Sequence, residues 1–514
     1  MTQTDTLVLQ PGNLSLDDLR RIYRQAPPLR LAEEAYPRMA ESRAIVDRIA
    51  AGSEAVYGIN TGFGKLAQKR IAAKDLETLQ RNLILSHATG VGAPMAAPVV
   101  RLILATKAAS LGVGASGVRP ELVDALLTLY NADILPVIPE KGSVGASGDL
   151  APLAHMCGVL LGIGSVMAGG EILTADEGLA RAGLQRIDLK AKEGLALING
   201  TQVSTALALA GLFEIERSFK TALVSGALCV EAVMGSHRPF DPRISALRGQ
   251  TGQMEVAAIF RSLLDGSPLN AAHQGPSCHR VQDPYSLRCQ PQVMGAVLDQ
   301  IRQAARTLRI EANGVTDNPL VLVDTGEVIS GGNFHAEPVA MAADQLAIAA
   351  SEIGALAERR IAMLIDSTIS GLPPFLVEEP GLNSGFMIAH VTAAALASEN
   401  KTLAHPASID SLPTSANQED HVSMATFAAR RLKDIVGNVA DIVGIELLAA
   451  AQGLEFHRPL RSAPAIEQAV ERIRAAVPRY DVDRYFAPDL SAIGQLVREG
   501  GLEDLLHIDL EAGA

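Results

Sequence analysis

Gly142-Ser143-Val144-Gly145-Ala146-Ser147-Gly148-Asp149 separates a short β-like run, Ile134–Ile138 closed by Pro139, from an apolar helix pattern that opens near Leu150. Its core, Ala146-Ser147-Gly148, can cyclise on itself. Gly148 has no side chain to block approach, so its amide nitrogen can reach the Ala146 carbonyl. Loss of one water closes a five-membered ring. Loss of the Ser147 hydroxyl as a second water leaves an exocyclic methylene. The product, a methylidene-imidazolone, is an electrophile that ordinary side chains do not supply. Ala-Ser-Gly alone arises by chance in about one of every five chains this long, and a plain glycine-rich turn is the simpler reading of a lone tripeptide. Phosphate cradles fit poorly, because there is no Gly-Lys-Ser/Thr ending and Val144 stands where a dinucleotide fingerprint needs its middle glycine.

The helix after the loop is entered through Asp149 and Pro152, an N-cap and a first-turn residue. A ring at this place would lie at a helix N-terminus, whose positive end would polarise the ring carbonyl.

Working outward, Val56-Tyr57-Gly58-Ile59-Asn60-Thr61-Gly62-Phe63-Gly64 is a glycine-bracketed loop carrying a tyrosine. Such loops often move over active sites, although a loop aromatic packed on a neighbour explains Tyr57 as well. Residues 15–51 read as helical, with polar starts at Ser15 and Ser42. A helix follows from about Asp75 to Ser86, on which Leu76, Leu79, Leu83 and His87 share one face. His87 therefore points inward, as a satisfied core histidine also would. Residues 97–131 read as helical and 163–175 as a hairpin or loop. Asn199 sits between an apolar run and a long Ala/Leu helix over 200–235 with little polar surface, expected to be buried. Residues 240–280 read as loop-rich. Gln282, Tyr285 and Arg288 recur every third residue at a helix start. An arginine beside a tyrosine and an amide suits a carboxylate, and a surface ion pair is the competing reading. After a long helix to about Asn313, a hairpin runs to Gly331-Gly332-Asn333-Phe334-His335. Thr414–His421 reads as the opening of another helix, where Glu419 would be an ordinary dipole partner.

Bulk properties set limits. The 514 residues, 48% hydrophobic and without tryptophan, describe a packed, helix-rich chain of two to four domains or one large unit. The net charge of −13 argues against nucleic acid or an anionic membrane as partner. Cys157, Cys229, Cys278 and Cys289 lack zinc-type spacing and read as reduced thiols. No metal-ligand spacing is evident, no signal pattern is read at the N-terminus, and no apolar run reads as long enough to span a bilayer. The expectation is a soluble cytoplasmic protein.

Six ordered motifs together resemble the aromatic amino-acid ammonia-lyase family over nearly the whole chain. They are Tyr57–Gly64, Gly142–Ala154, Asn199-Gly200-Thr201-Gln202, Gln282–Arg288, Gly331–His335 and Asn417-Gln418-Glu419-Asp420-His421. The resemblance implies a mainly α fold of fumarase/aspartase-like architecture. A long-helix bundle would form the core, beside a smaller N-terminal part with some β-structure that carries the cyclised loop. The parts are expected at 1–200, 201–460 and 461–514, or as one continuous unit. It also implies a homotetramer whose sites combine residues of several chains, and the cofactor 4-methylidene-imidazol-5-one formed from Ala146, Ser147 and Gly148.

Within the family, Ser86-His87 and Glu419 resemble the branch acting on histidine. Tyrosine enzymes read His-Leu and phenylalanine enzymes Phe-Leu at the first place, and both carry glutamine at the second. An imidazole has two ring nitrogens to satisfy, whereas a phenyl ring would leave His87 and Glu419 desolvated without partners. The implied reaction takes L-histidine to trans-urocanate and ammonia, the first step of histidine degradation, with the substrate amine or its imidazole ring captured by the electrophile. Tyr57 would take the β-proton and Arg288 would hold the carboxylate. Tyr285 would assist proton handling or ring formation, and Asn199 would bond the ring carbonyl. Gln282 and Phe334 would line the pocket, and His87 and Glu419 would grip the imidazole. A tyrosine or phenylalanine ammonia-lyase or aminomutase with the same cofactor is the alternative, and an inactive helical scaffold is a third reading.

Overall fold

The computed structural model describes residues 6–62, 64, 67–269 and 281–512. Phe63 and Cys278 lie outside them. The chain is mainly helical. Its contacts divide it into two compact units, each discontinuous in sequence, which do not coincide with the segments 1–200, 201–460 and 461–514. One unit comprises Met1–Ala210, Ala305–Asp344 and Pro406–Arg430; the other comprises Gly211–Ala304, Gln345–His405 and Arg431–Ala514.

The first unit holds the β-structure. Helix Leu16–Gln25 starts at Ser15, whose hydroxyl accepts from the Asp18 amide while the Asp18 carboxylate accepts from the Ser15 amide. Two otherwise orphaned donors are thereby satisfied. Leu16, Leu19 and Ile22 face inward at helical spacing. Ser42, read from sequence as a helix start, is buried inside helix Ala35–Ala51, where its hydroxyl accepts from the Gly117 amide at 2.9 Å. The stretch 97–131 is two helices, Ala97–Gly112 and Pro120–Asn131, packed on each other, with the first almost wholly buried.

Two small sheets set up the loop. Strands Leu135–Pro136, Ser165–Ala168 and Glu171–Thr174 form an antiparallel sheet in that order. Strand Pro139–Lys141, which leads directly into Gly142, pairs antiparallel with Val91–Pro94, the strand that follows helix Leu76–His87. His87 is thus tied to the loop through a hydrogen-bonded ladder. Helix Leu76–His87 also packs on Leu150–Gly158 and on Glu193–Ile198, the helices bearing the other ends of the site.

The second unit is helical among its described residues. Leu432–Glu455 packs on Met387–Leu403 and Ala487–Arg498. At its centre Arg360 and Glu446 form a fully buried, bidentate pair. Gln290 accepts from Arg360 at 3.0 Å, and Ser225 donates to Glu446 at 2.6 Å. A buried ion pair is tolerable only when its remaining polar atoms are partnered in this way. The Cys229 thiol donates to the same carboxylate, and burial pushes its pKa well up.

Three expectations are corrected. Of the stretch 240–280 read as loop-rich, residues 240–263 are largely helical, with Asp241 capping helix Pro242–Arg248 and Thr251–Leu263 following, while 270–280 lie outside the described residues. One helix, Glu337–Ile365, does have the length and apolar composition to cross a membrane, but 67% of its most apolar window is buried in the protein. That burial is what a core helix requires. Finally, the helix after Glu419 opens only at Ala425, so Glu419 is not in a helix first turn.

Candidate active site

A cavity of about 630 Å³ lies within the first unit and is lined by Tyr57, Ser86, His87, Ser147, Asn199 and Glu419, over an apolar floor of Ile71, Leu79, Leu83, Leu195 and Ile198. Its size falls within the roughly 300–1,000 Å³ of small-molecule sites. Five residues singled out from sequence, spread from position 57 to 419, meet in this one space. Phe334 in the first unit and Gln282, Tyr285 and Arg288 in the second are not among its lining. Those last three sit around a single helical turn, Tyr285–Arg288. Arg288 lies over the Tyr285 ring at 4.5 Å and donates to the Asp283 carbonyl, while Tyr285 is 71% exposed.

The loop is held from several sides. Val144 and Gly145 accept through their carbonyls from the Met424 amide at 2.8 Å, the Ala336 amide at 3.2 Å and the Ser423 hydroxyl at 2.9 Å. Gly148 has φ +72°, and a Cβ there would run into the backbone of Gly200. Only glycine fits both constraints. The Asp149 amide then donates to the Gly200 carbonyl at 2.7 Å. Asp149 occupies the N-cap position of Leu150–Gly158 but makes no side-chain cap bond. Its buried carboxylate instead accepts from the Ser143 hydroxyl (2.8 Å), the Ser204 amide and hydroxyl (2.7 and 2.9 Å) and the Thr426 hydroxyl (2.7 Å). It is a hub joining three chain segments, a role that sequence reading missed.

The residues fit a cyclised loop. Were the Gly148 nitrogen to close on the Ala146 carbon, the Ala146 oxygen would leave as water and the Ser147 oxygen would remain as the ring carbonyl. The Asn199 side-chain amide already donates to that Ser147 oxygen at 3.0 Å. Among the described residues, neither the Gly148 amide nor the Ala146 carbonyl is committed to a hydrogen bond. The Ser147 hydroxyl, which cyclisation would remove, donates to Glu419 at 2.6 Å.

Glu419 closes a tight loop in which Ser415, Ala416 and Asn417 all have positive φ, at 50°, 53° and 64°. Three such non-glycine residues in a row are costly and persist only where surroundings enforce them. Here Thr414 pairs with Glu419 through the backbone at 2.9 Å, and the hydroxyls of Thr414 and Ser415 donate to its carboxylate at 2.5 and 2.8 Å. Burial works to raise the Glu419 pKa, but the hydroxyls of Ser147, Thr414 and Ser415 and the nearby His87 outweigh it, so the carboxyl is held below its ordinary value. For His87, burial lowers the pKa against the opposing pull of the Leu83 carbonyl and Glu419. Because a carbonyl only accepts, His87 Nδ1 donates to Leu83 at 2.7 Å, leaving Nε2 as the free nitrogen of a neutral ring. Burial raises the Tyr57 pKa; the Gly64 backbone lowers it, and Glu419 and Asp317 add to the rise.

Behind Asn199 stands Lys107, 1% exposed, whose Nζ donates to the Asn199 carbonyl at 2.7 Å. Burial lowers its pKa to about 8 despite Asp317 and Asp149 nearby. Between about pH 8 and 10.5 the unfolded chain therefore holds a proton that the folded chain has lost, so stability from this group rises with pH across that window and is flat below it. Lys107→Met is expected to remove up to about 3 kcal/mol of that rise. Urea unfolding of both proteins at stepped pH measures it, and parallel curves would refute it. Lys69 and Ser415, which also line the cavity, carried no sequence signal beyond their polarity.

The family model described as aromatic amino acid lyase matches residues 14–475. The chain is 79% identical to the histidine ammonia-lyase of Rhodospirillum rubrum over 507 residues, covering 99% of both. The crystal structure of histidine ammonia-lyase from Trypanosoma cruzi superposes with TM-score 0.90 at 41% identity, covering 98% of this chain and 95% of that one. The tyrosine aminomutase of Streptomyces globisporus superposes with TM-score 0.92 at 35% identity, covering 98% and 100%. Full-length identity at this level, joined to the shared fold, means that the chain belongs to the aromatic amino acid lyase family.

Proposed function

We propose that this protein is a carbon–nitrogen lyase that takes L-histidine to trans-urocanate and ammonia, the reaction of a histidine ammonia-lyase. The observation that carries the reading is the single cavity shared by Ser147, Asn199, Tyr57, His87 and Glu419. The cofactor is the 4-methylidene-imidazol-5-one of Ala146-Ser147-Gly148, which supplies an electrophile for the substrate amine or imidazole. Asn199 places an amide donor on the oxygen where negative charge grows. The ionised Glu419 accepts an imidazole N–H, and neutral His87 presents Nε2 to the same ring.

Tyr57 takes the β-proton, which needs a phenolate. Its own chain raises the pKa, chiefly by burial. A cation must offset this, and among the described residues the cavity lining includes Lys69 but no arginine. Arg288 of a neighbouring copy is the proposed cation and holds the substrate carboxylate, Tyr285 beside it assists proton handling or ring formation, and Gln282 and Phe334 complete the walls of a homotetramer's shared sites. The exposure of Tyr285 supports this, as does the uncovered apolar row Met387, Ile388 and Val391 on helix Met387–Leu403. The free thiols Cys157, Cys229 and Cys289 accord with a cytoplasmic location. The net charge of −13 accords with a small-molecule partner rather than nucleic acid or an anionic membrane.

A tyrosine or phenylalanine lyase or aminomutase using the same cofactor is the second reading, favoured by the close superposition on the Streptomyces enzyme. Incubation with L-histidine, L-tyrosine and L-phenylalanine separately, followed by ultraviolet absorbance, distinguishes them. Urocanate from histidine alone is expected, and product from only the other two overturns the proposal. Glu419→Gln is expected to lower histidine kcat/KM by about 10- to 100-fold, the value of one hydrogen bond to a charged group. Its unfolding midpoint should move little, and equal rates would remove Glu419 from substrate recognition.

A further inference from the structure

On the far side of the Gly145 carbonyl, two segments of the first unit converge. One is the turn His335-Ala336-Glu337 that opens helix Glu337–Ile365, and the other is the stretch His421–Met424. Ala336 and Ser423, one from each segment, are the two residues that grip that carbonyl. Flanking them, His335, Glu337 and His421 each offer one ligand atom, and the three atoms lie within 4.8 Å of one another. The two imidazoles are parallel, with centroids 5.7 Å apart, and His335 Nε2 donates to the His421 carbonyl at 3.2 Å.

Simpler explanations cover only parts of this cluster. A carboxylate in the first turn of a helix is favourable, but that does not bring two histidines onto it. A His421–Glu337 ion pair accounts for one histidine, yet Nε2 and Oε2 are 4.0 Å apart, too far for a hydrogen bond. Moreover, Glu337 Oε2 is shielded from solvent and has no hydrogen-bond donor. A buried, unpartnered carboxylate oxygen facing two imidazoles is a donor set in want of a cation. Two neutral imidazoles and one carboxylate suit a divalent first-row transition metal of the zinc type, with water in the remaining position.

We propose that His335, Glu337 and His421 bind one such divalent metal ion. Ligands about 2.0–2.2 Å from zinc stand roughly 3.3 Å apart, so the side chains must draw in from their present spacing. His421, whose side chain is 68% exposed, is free to do so. His335 can give Nδ1 while keeping its bond to the His421 carbonyl, or exchange that bond for the metal. Coordination would join the two segments that hold the Gly145 carbonyl and would anchor Glu419, two residues before His421. The metal is thus a clamp on the loop, without contact to the reacting atoms.

The test uses the full-length protein, stripped with a chelator and titrated with Co²⁺ alone and with Zn²⁺ alone. Visible d–d absorption of a low-coordinate cobalt site, one Zn²⁺ per chain by calorimetry and a rise in thermal midpoint with Zn²⁺ are expected. His421→Ala and Glu337→Gln should each weaken binding by at least about tenfold and lose the rise in midpoint. Because His421 is exposed and Glu337→Gln is nearly isosteric, both variants should fold even if His335→Ala does not. Absence of stoichiometric binding, or binding unchanged in both variants, overturns the proposal.

Discussion

Ser147→Ala is expected to lower histidine turnover by about 10³-fold or more, equivalent to about 4 kcal/mol of transition-state stabilisation. Intact-mass measurement supplies the internal control. The wild-type chain should be lighter than its sequence by two waters, and the variant should not show that deficit. The reason is chemical: the Ser147 hydroxyl is the group whose loss creates the methylidene carbon, and alanine has nothing to lose. The fold should survive. Ser147 contributes one side-chain hydrogen bond, to Glu419, and that carboxylate keeps the hydroxyls of Thr414 and Ser415. A typical hydrogen bond contributes about 1 kcal/mol net, small beside the catalytic loss. Full activity in the variant, or a wild-type mass equal to the sequence, would exclude the cyclised loop as the catalyst.

Tyr57→Phe is expected to lower kcat by about 10²- to 10⁴-fold, the usual contribution of a positioned general base, with KM changed only a few-fold. Phenylalanine keeps the ring that fills the cavity wall and removes the proton acceptor. The pH profile should separate the role from simple packing. Burial in one chain raises the Tyr57 pKa and the proposed cation of the neighbouring copy opposes that rise, so the active phenolate forms as pH approaches the pKa set by that balance. Wild-type kcat should therefore climb as pH rises towards the phenol pKa, and that climb should vanish in the variant. A variant that keeps the climb, or loses activity only through KM, would move the base elsewhere. A tenfold or smaller loss in kcat would do the same.

Much of the site could be read from residue order. Tyr57, His87, Ser147, Asn199 and Glu419 each stand out in the sequence, and they line one cavity. His87 was legible because helix Leu76–His87 keeps its apolar period to the last turn, so the periodicity also gives the direction of the imidazole. Glu419 was found as a residue but misplaced as a helix-start carboxylate. Positive φ at Ser415, Ala416 and Asn417 has no sequence marker when glycine is absent, so the loop looked like the first turn of a helix. The same blindness hid Asp149: a cap and a four-donor hub have the same letter, and beyond Ser143 in its own loop the hub's donors, Ser204 and Thr426, come from remote segments. Residues 240–263 misled in the opposite sense, because scattered Gly, Ser and Pro outweighed two short helices in a composition reading.

Tyr285 and Arg288 mark the other boundary. Their shared helical face was readable, and Arg288 lies 4.5 Å over the Tyr285 ring, but neither is among the residues that line the cavity. Local chemistry is written in residue identity and spacing. The tripeptide that can cyclise, the glycine that must let it and the inward face that carries His87 all follow from rules acting within a few residues. The company those groups keep is a matter of packing across the chain. Lys107 beneath Asn199, the Ser147 hydroxyl on Glu419 and the His335–Glu337–His421 cluster exist because segments about 80 to 270 residues apart bury the same polar atoms. Each of those atoms must find a partner once water is gone.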